Sequence, residues 1–414
     1  MGDIDQRDLL PAPIQRVRLR NFRSIERCDV ALSNLNVLVG PNASGKSNLL
    51  DALQFTRDAL HFRLDEALRM RDGFSEVCRK SEGSPIEFAV RIDLAIRRRS
   101  DTYSPTAFYA FKVGAAPGGG YLVQREMVEH RTPLHLTGFE RIGDDVRLLK
   151  YDGEDSMKAP ASDDLFLSQS GLFPEVFDQL RHMTVYALDP VTMRKPQRSA
   201  PHEVLVRDGR NLGGVLRNHP STRVCEYLST IVPGVENVEG VHIGGYDTFH
   251  VIQRVDGSSS RSTTFSAASV SDGTLRALGV LVALLADSPQ PGRPPRPPLI
   301  AIEEIEAGLH PGAVGILWDA MCEASLNSQI VVSTHSPDLL DRDDLQDDAT
   351  LLGVAFQAGR TIVGTPSKAD MRILEERLCT PGDLLRQVRL QPAPMTMEPP
   401  DQDMFALSVS RIGP

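Results

Sequence analysis

The 414-residue sequence predicts an α/β fold in which a mixed β-sheet is flanked by helices. Three short apolar segments, at 36–39, 299–302 and 329–332, are predicted to be buried strands. Each of them leads directly into polar residues that are suited to binding or catalysis. Ligands of open α/β sheets bind at the carboxyl ends of the strands. The pattern therefore predicts one functional site built from three strand ends.

The first strand leads into the sequence GPNASGKS at 40–47, which matches G-x-x-x-x-G-K-[ST] and is followed by a helix. Glycines let backbone N–H groups surround phosphate oxygens, and the helix start adds partial positive charge. Lys46 is expected to reach the β and γ phosphates of a nucleotide, and the Ser47 hydroxyl to ligate Mg²⁺. The loop alone fits kinases, GTPases, helicases and transporters equally well. An ordinary glycine turn is the alternative. The expected nucleotide contacts are Gly40, Pro41, Asn42, Ala43, Ser44, Gly45, Lys46, Ser47 and Asn48.

The second strand ends in Glu303 and Glu304. Glu303 is expected to hold Mg²⁺, usually through water, and Glu304 to act as the general base on the attacking water. Taken alone, two glutamates at this position also fit a solvated junction between strand and loop. The glycine-rich loop upstream favours the catalytic interpretation.

Two further segments complete the predicted site. His335 follows the third strand, from where it could reach a γ-phosphate; a plain surface histidine is the alternative. Ser271, Asp272 and Gly273 begin an apolar helix and offer a hydroxyl and free N–H groups to an anion. A simple helix N-cap explains the same residues, and both interpretations can hold together.

The order of these motifs resembles that of the ABC-type ATPases of the SMC and RecF kind. More narrowly, the chain resembles stand-alone bacterial AAA-family ATPases that are related to the ATPase domain of OLD nucleases. The resemblance makes "VSDGT" the signature motif, "IEAGLHP" the D-loop and His335 the switch histidine. It also implies ATP and Mg²⁺ as ligands, and an ABC-type ATPase head as the fold.

The resemblance further implies a homodimer that forms through ATP. Two heads would pack head to tail, so that Ser271 and Gly273 of one copy meet the γ-phosphate held by Lys46 of the other. Hydrolysis would then release the pair. The expected partner is DNA or a separately encoded effector such as a nuclease, in DNA repair or phage defence.

The sequence departs from the family pattern at three places. Glu303 stands where the family commonly has Asp, Ile305 where it often has Pro, and Asp272 where many relatives have Gly. An acidic side chain at 272 could weaken ATP binding unless it points away from the phosphate. No glutamine is assigned to the Q-loop; Gln54 is too close to the glycine-rich loop, and Gln124 is the other one considered.

Four regions are predicted. Residues 1–60 form the first half of the ATPase head, 61–265 an inserted β-rich and helical subdomain, and 266–390 the second half of the head. Residues 391–414 are expected to be a disordered tail, because they are rich in Pro and Asp. Within the insertion, strands are predicted at 86–94, 145–151 and 241–254, and a helix at 211–230.

Composition narrows the partners and the compartment. The net charge of −10 gives no global attraction to nucleic acid, so contact with DNA would need the arginine patches at 16–27 or 97–100. Solvated loops and strand edges explain these patches equally well. Five scattered cysteines predict a reducing cytoplasm, and no apolar run is long enough to predict a membrane contact.

The predicted function is an ATP-hydrolysing switch that dimerises on ATP. Two alternatives remain open at this stage. The first is a scaffold that binds ATP but hardly turns it over, which Asp272 and Glu303 would allow. The second is the ATPase subunit of a transporter, against which the long insertion argues.

Overall fold

The computed structural model describes residues 9–10, 14–80, 86–98, 106–132, 135–150, 153–200, 204–254, 261–286, 296–342, 345–387, 389–393 and 404–406. The strands are β1 (Leu9–Leu10), β2 (Ile14–Phe22), β3 (Ile25–Ala31), β4 (Leu35–Val39), β5 (Glu87–Ala95), β6 (Arg97–Arg98), β7 (Thr106–Ala115), β8 (Tyr121–Arg131), β9 (Leu136–Ile142), β10 (Asp145–Lys150), β11 (Gly153–Lys158), β12 (Thr184–Tyr186), β13 (Gln197–Arg198), β14 (Val235–Ile243), β15 (Tyr246–Arg254), β16 (Ser262–Ser266), β17 (Leu299–Ile302), β18 (Gln329–Thr334), β19 (Thr350–Gln357) and β20 (Arg360–Gly364). The helices are α1 (Lys46–His61), α2 (Leu64–Arg69), α3 (Phe74–Val77), α4 (Phe166–Ser170), α5 (Pro174–Arg181), α6 (Pro190–Met193), α7 (Leu212–Asn218), α8 (Thr222–Ile231), α9 (Asp272–Leu285), α10 (Pro311–Ser325), α11 (Pro337–Leu340), α12 (Leu345–Asp348), α13 (Lys368–Glu375) and α14 (Pro381–Arg386).

One large mixed sheet runs through the described part of the chain, in the order β11-β10-β9-β8-β7-β5-β2-β3-β20-β19-β4-β18-β17-β12. The strands β12, β17, β18, β4 and β19 pair in parallel. The strands β2, β5 and β7 to β11 pair antiparallel, and we call them the antiparallel wing. The predicted α/β fold with a mixed sheet flanked by helices is confirmed.

The three predicted site strands are neighbours in this sheet. The segments predicted at 36–39, 299–302 and 329–332 correspond to β4, β17 and β18, and every residue of these strands is buried. Their parallel register places their carboxyl ends at one edge of the sheet. Strands that are buried on both faces consist almost wholly of apolar residues, and this is the pattern by which they were predicted.

The sheet separates two apolar cores, and the two helices of the predicted site lie on opposite sides of it. Alternate residues of β4 face opposite ways, with Leu38 in one core and Val37 in the other. Helix α1 contributes Leu50 and Leu53 to the first core, and α9 contributes Leu278 to the second. The phosphate-loop helix and the signature helix of one chain are therefore held apart by the sheet.

The large sheet crosses the boundaries predicted for the inserted subdomain. From 61–265, strands β5 and β7 to β11 extend β2 at one end of the sheet, and β12 pairs with β17 at the other. Strands β13 to β16 form a separate four-stranded sheet on which α7 packs. The insertion therefore adds to both ends of the head.

Two predicted elements of the insertion differ from the structure. The segment 241–254 is a hairpin of β14 and β15 instead of one strand, because Gly244 and Gly245 both take positive φ angles and turn the chain. The helix predicted at 211–230 is two helices, α7 and α8, since Pro220 between them cannot continue a helix. The strand predicted at 86–94 is β5; β10 matches the one at 145–151 up to Lys150, and residue 151 lies outside the described residues.

The C-terminal tail contributes a short ordered piece. Met404 and Phe405 are buried against Ala89, Phe108 and Met127 on the face of the antiparallel wing that points away from the main core. For residues 404–406 the expectation of a disordered tail is thus wrong, because an apolar pair in an otherwise polar tail finds an apolar surface to cover. The remaining tail residues beyond 393 lie outside the described residues.

None of the helices in the described ranges is long and apolar enough to cross a membrane.

Candidate functional site

The loop between β4 and α1 passes so close to its neighbours that glycine is required at two positions. A Cβ on Gly40 would lie 2.1 Å from the carbonyl oxygen of Val354 in β19. Gly45 has a φ of 101°, and a Cβ there would lie 2.1 Å from Oγ1 of Thr361 in β20. The same Thr361 hydroxyl donates to the carbonyl of Ser44 at 2.9 Å. The loop is therefore clamped against β19 and β20 with its conformation fixed.

The start of α1 is arranged to receive an anion. Gly45 is the N-cap residue, and no side chain caps the helix. The first N–H groups of a helix have no partner within it and carry the positive end of the helix dipole. Lys46 lies beside them, and its Nζ donates to the carbonyl oxygens of Gly40 at 2.7 Å and Pro41 at 3.0 Å. These residues fit the phosphate groups of a nucleotide.

Burial lowers the pKa of Lys46, and the nearby carboxylates of Glu304 and Glu306 oppose this shift. Glu304, the predicted base, therefore lies close enough to Lys46 to affect its pKa. The positive charge of Lys46 is thus partly balanced by these two carboxylates in the protein itself.

The two glutamates after β17 differ in environment. Glu303 is largely buried, its backbone N–H donates to the carbonyl of Tyr186 at 2.8 Å, and its Oε1 accepts a bond from Arg207 at 3.0 Å. Glu304 has an exposed side chain and a φ of 46°, which is uncommon for a residue other than glycine. Its N–H donates to Oγ of Ser333 in β18 at 3.0 Å.

Arg276 of α9 holds the backbone of both glutamates, a role that no motif in the sequence indicates. Its guanidinium donates to the carbonyls of Glu303 at 2.7 Å and Glu304 at 2.8 Å, and also to the carbonyl of Leu188. Burial lowers the pKa of Arg276, and the surrounding carboxylates, Glu304 first, oppose that shift. Helix α9 is thereby joined to the predicted catalytic carboxylates of its own chain.

Glu306 of the D-loop orients the predicted switch histidine. Its Oε1 accepts the backbone N–H of His335 at 2.7 Å and lies 3.1 Å from the ring Nδ1. The side chain of Glu306 is only 8% exposed. With Nδ1 directed at Glu306, the Nε2 atom of His335 is left as the nitrogen that can face a ligand.

The helix start at Ser271 is a capped N-terminus. The Ser271 hydroxyl accepts the N–H of Thr274 at 3.2 Å, and Asp272 forms an ion pair with Arg194. Asp272 therefore has a cation of its own, which reduces the repulsion that the sequence led us to expect. A Cβ on Gly273 would lie 2.8 Å from the carbonyl of Gly308, so the signature helix packs closely on the D-loop.

A cleft of about 650 Å³ contains both predicted metal ligands, Ser47 and Glu303. A hydroxyl and a carboxylate are oxygen ligands that suit Mg²⁺, which keeps several waters when it binds. Gln54 lines the same cleft, but its amide donates to Asp58 at 2.6 Å. Gln124 lines a different cleft on the antiparallel wing. In the cleft that holds Ser47 and Glu303, Arg207 is the side chain that bonds Glu303.

Comparison with known proteins gives family matches over two separate parts of the chain. Residues 140–341 match the family described as "AAA domain, putative AbiEii toxin, Type IV TA system", and residues 13–94 match "AAA ATPase domain". The DNA replication and repair protein RecF of Vibrio vulnificus is 48% identical over 42 residues, which are 10% of this chain and 12% of that protein. The RecF protein of Aliivibrio salmonicida is 29% identical over 135 residues, which are 32% of this chain and 35% of that protein. The chain thus spans about a third or less of the length of these relatives.

A solved structure shows the same fold over nearly the whole chain. The Smc head domain from Pyrococcus furiosus, with an extended coiled coil and bound to the C-terminal domain of ScpA, superposes with a TM-score of 0.54. The identity is 13%, and the match covers 89% of this chain and 100% of the other. Together, the two family matches and the shared fold support an ABC-type P-loop ATPase that is similar to SMC and RecF proteins.

Proposed function

We propose that the chain is an ATP-hydrolysing switch in which bound ATP joins two copies head to tail. The observation that carries the proposal is the convergence of the phosphate loop, the paired glutamates and the histidine at one edge of the sheet. That convergence is set by the parallel register of β4, β17 and β18.

Each residue has a role that its environment supports. Lys46 moves from the loop carbonyls to the β and γ phosphates, and the open N–H groups of α1 bind the same phosphates. Ser47 and Glu303 hold Mg²⁺, which neutralises phosphate charge when it is bound. Glu304, whose carboxylate is exposed, takes a proton from the attacking water. The imidazolium form of His335 donates from Nε2 to the γ-phosphate, while its Nδ1–H donates to Glu306.

A second copy is needed because the signature helix starts on the other side of the sheet from α1. Ser271 and Asp272 are exposed. This supports a site completed by Ser271 and Gly273 of the opposite copy.

The favoured partner is a separately encoded protein effector, acting in the cytoplasm in DNA repair or phage defence. The arginine patch at 16–27 is partly neutralised, since Arg16 and Arg18 both pair with Asp29 and Arg18 also lies 3.4 Å from Asp93. The Smc head of similar fold is bound to ScpA, a protein. The RecF relatives are named for DNA replication and repair, and this supports DNA as the second choice. Affinity for duplex DNA that falls steeply with salt would assign DNA instead.

A scaffold that binds ATP with little turnover is a second candidate function. The ion pair between Arg207 and Glu303 favours it, because Mg²⁺ has to compete with a guanidinium already in place. A steady-state phosphate-release assay separates the two functions: repeated turnover supports the switch, and fewer than one phosphate per chain supports the scaffold.

The head-to-tail arrangement is tested with Glu304→Gln, which keeps the side-chain shape and removes the base. Hydrolysis should fall about a hundredfold or more, the usual contribution of a positioned base, while ATP still binds. The variant should therefore run as a dimer in size-exclusion chromatography with light scattering when ATP is present. Adding Ser271→Arg should return it to a monomer that still binds ATP, because a bulky cation blocks the opposite γ-phosphate.

The matched control is Thr230→Arg, which places the same side chain at an exposed position of α8. It should leave the ATP-dependent dimer intact. Dimers that form equally well with Ser271→Arg, or in the absence of ATP, would refute the head-to-tail arrangement.

A further inference from the structure

The antiparallel wing has an outer face that is shaped to hold a short peptide. Ala89 of β5 and Ala110 of β7 are small residues on the face of the wing opposite the main core. Phe108 and Met127 border the depression that the two alanines leave. An apolar patch on the outer face of a sheet marks a site where another group binds.

The occupant in this structure is the segment Met404-Phe405-Ala406 of the chain itself. Arg91 donates from Nη1 to the carbonyl of Met404 at 3.3 Å and to that of Ala406 at 2.7 Å. The guanidinium of Arg125 stacks over the Phe405 ring at 4.4 Å, which is a cation–π contact. Two backbone carbonyls and one aromatic ring are thus recognised by two arginines.

The hollow continues beyond the three residues. A cleft of about 280 Å³ beside Phe405 is lined by Arg20, Glu87, Lys112 and Gln124, and Lys112 pairs with Glu87 at 2.7 Å. The surface therefore has room beside Phe405 for further residues of a peptide that carries the Met-Phe pair.

The segment is a small, separate contact. Upstream of it, the last described residue is Ala393, whose N–H donates to the carbonyl of Thr365 at 2.8 Å. Residues 394–403 connect that point to Met404. Among the described tail residues, Met404 and Phe405 are the two that bury side chains on the wing, so the contact is held by the high local concentration of a tethered tail as much as by its own affinity.

We propose that the outer face of the antiparallel wing is a peptide-docking groove, and that Met404-Phe405-Ala406 is its removable plug. The groove recognises the Met-Phe pair through two backbone carbonyls and one aromatic ring, and the chain's own tail fills it in the resting protein. This inference does not depend on the proposed ATPase function, because none of its residues lies in the nucleotide site.

The test uses the full chain with Met404→Ala and Phe405→Ala together, which empties the groove. The probe is a fluorescein-labelled peptide of the sequence EPPDQDMFALSV, residues 398–409, followed by fluorescence anisotropy. The emptied variant should bind this peptide in the range of tens to hundreds of micromolar. The unmodified chain should bind it about tenfold more weakly, because a tail tethered by ten residues competes at an effective concentration of about a millimolar.

Two controls separate recognition from nonspecific adhesion. A peptide with Ala in place of Phe405 should not bind, because the ring under Arg125 is missing. In the emptied background, Arg125→Ala should weaken binding, whereas Arg131→Ala should not; Arg131 lies on the same strand and pairs with Glu129 at 3.2 Å.

Thermal melting of the emptied variant checks that it is folded. The proposal is overturned if the folded variant fails to bind the peptide, or if it binds the alanine peptide equally well. It is also overturned if the unmodified chain binds the peptide as tightly as the emptied variant. If the double variant does not fold, the single variant Phe405→Ala replaces it in this comparison.

Discussion

Arg276 offers the sharpest test of how the site is built. Its side chain is only 8% exposed, and it donates to three carbonyl oxygens, those of Leu188, Glu303 and Glu304. Arg276→Met keeps a long unbranched side chain in the same space but removes every donor. The three carbonyls then lose their partner, and the charge that faces the glutamates is lost with it.

The expected loss of stability follows from these contacts. An unsatisfied buried acceptor costs about 1–3 kcal/mol, and Glu303 lines an open cleft while Glu304 is exposed, so the lower figure applies. Three such losses give a destabilisation of about 3 kcal/mol. With a urea m-value of about 3 kcal/mol per molar, the unfolding midpoint should fall by about 1 M.

The assay is built into the chain. Trp318 is the only tryptophan, it is fully buried, and it belongs to the same apolar core as α9. Its fluorescence during urea unfolding therefore reports on the layer that Arg276 stabilises. ATP hydrolysis should fall at least tenfold in folded Arg276→Met, because the backbone that carries the catalytic carboxylates is no longer fixed and small misplacements are costly.

Two variants bracket this result. Arg276→Lys keeps the charge with fewer donors and should lose about half as much stability. Arg372→Met removes an arginine that is 79% exposed on α13 and pairs with Glu376, so it should change neither the midpoint nor the hydrolysis rate. If Arg276→Met unfolds at the same urea concentration as the unmodified chain and hydrolyses ATP at the same rate, the bonds to the carbonyls do not support the site.

Two other predictions concern charges at the cleft. Lys46→Ala should lower ATP hydrolysis about a hundredfold or more, because in the proposed site its Nζ is the cation placed against the transferring phosphate; Lys80→Ala, an exposed lysine on the surface, is the control, and an unchanged rate in Lys46→Ala would show that the loop does not bind the nucleotide. Arg207→Ala should lower the Mg²⁺ concentration needed for half-maximal ATP binding about fivefold, since a partly exposed ion pair contributes about 1 kcal/mol. Arg210→Ala, three residues along the same cleft, should leave that concentration unchanged, and equal Mg²⁺ midpoints for both variants would contradict the competition at Glu303.

The parts of the fold that the sequence predicted well are those set by local pattern. Strands β4, β17 and β18 are buried on both faces, so each had to be a short run of apolar residues ending in polar ones. Signals for two wrong predictions were also present. Gly244-Gly245 is a hairpin turn pattern, and Pro220 ends a helix. These residues therefore predict the hairpin of β14 and β15 and the break between α7 and α8.

The contacts that complete the site could not be predicted, because they join residues far apart in the chain. Arg207 and Glu303 are separated by 96 positions, and Arg194 and Asp272 by 78. Nothing in the sequence around an arginine says which carboxylate it will face; that depends on how β12 is placed next to β17. The same is true of the insertion, whose strands join the head sheet at both ends.

The contacts of the signature helix make its start and the carboxylates of β17 one mechanical unit. Gly273 packs on the carbonyl of Gly308, and Arg276, one turn further along α9, holds the carbonyls of Glu303 and Glu304. In the proposed dimer, the start of α9 binds the nucleotide of the opposite copy. A change in that nucleotide then moves the helix whose arginine fixes the carboxylates of the other site. Hydrolysis in one site is expected to alter the position of the carboxylates in the second site through Arg276. The two sites of one dimer should therefore not hydrolyse ATP independently.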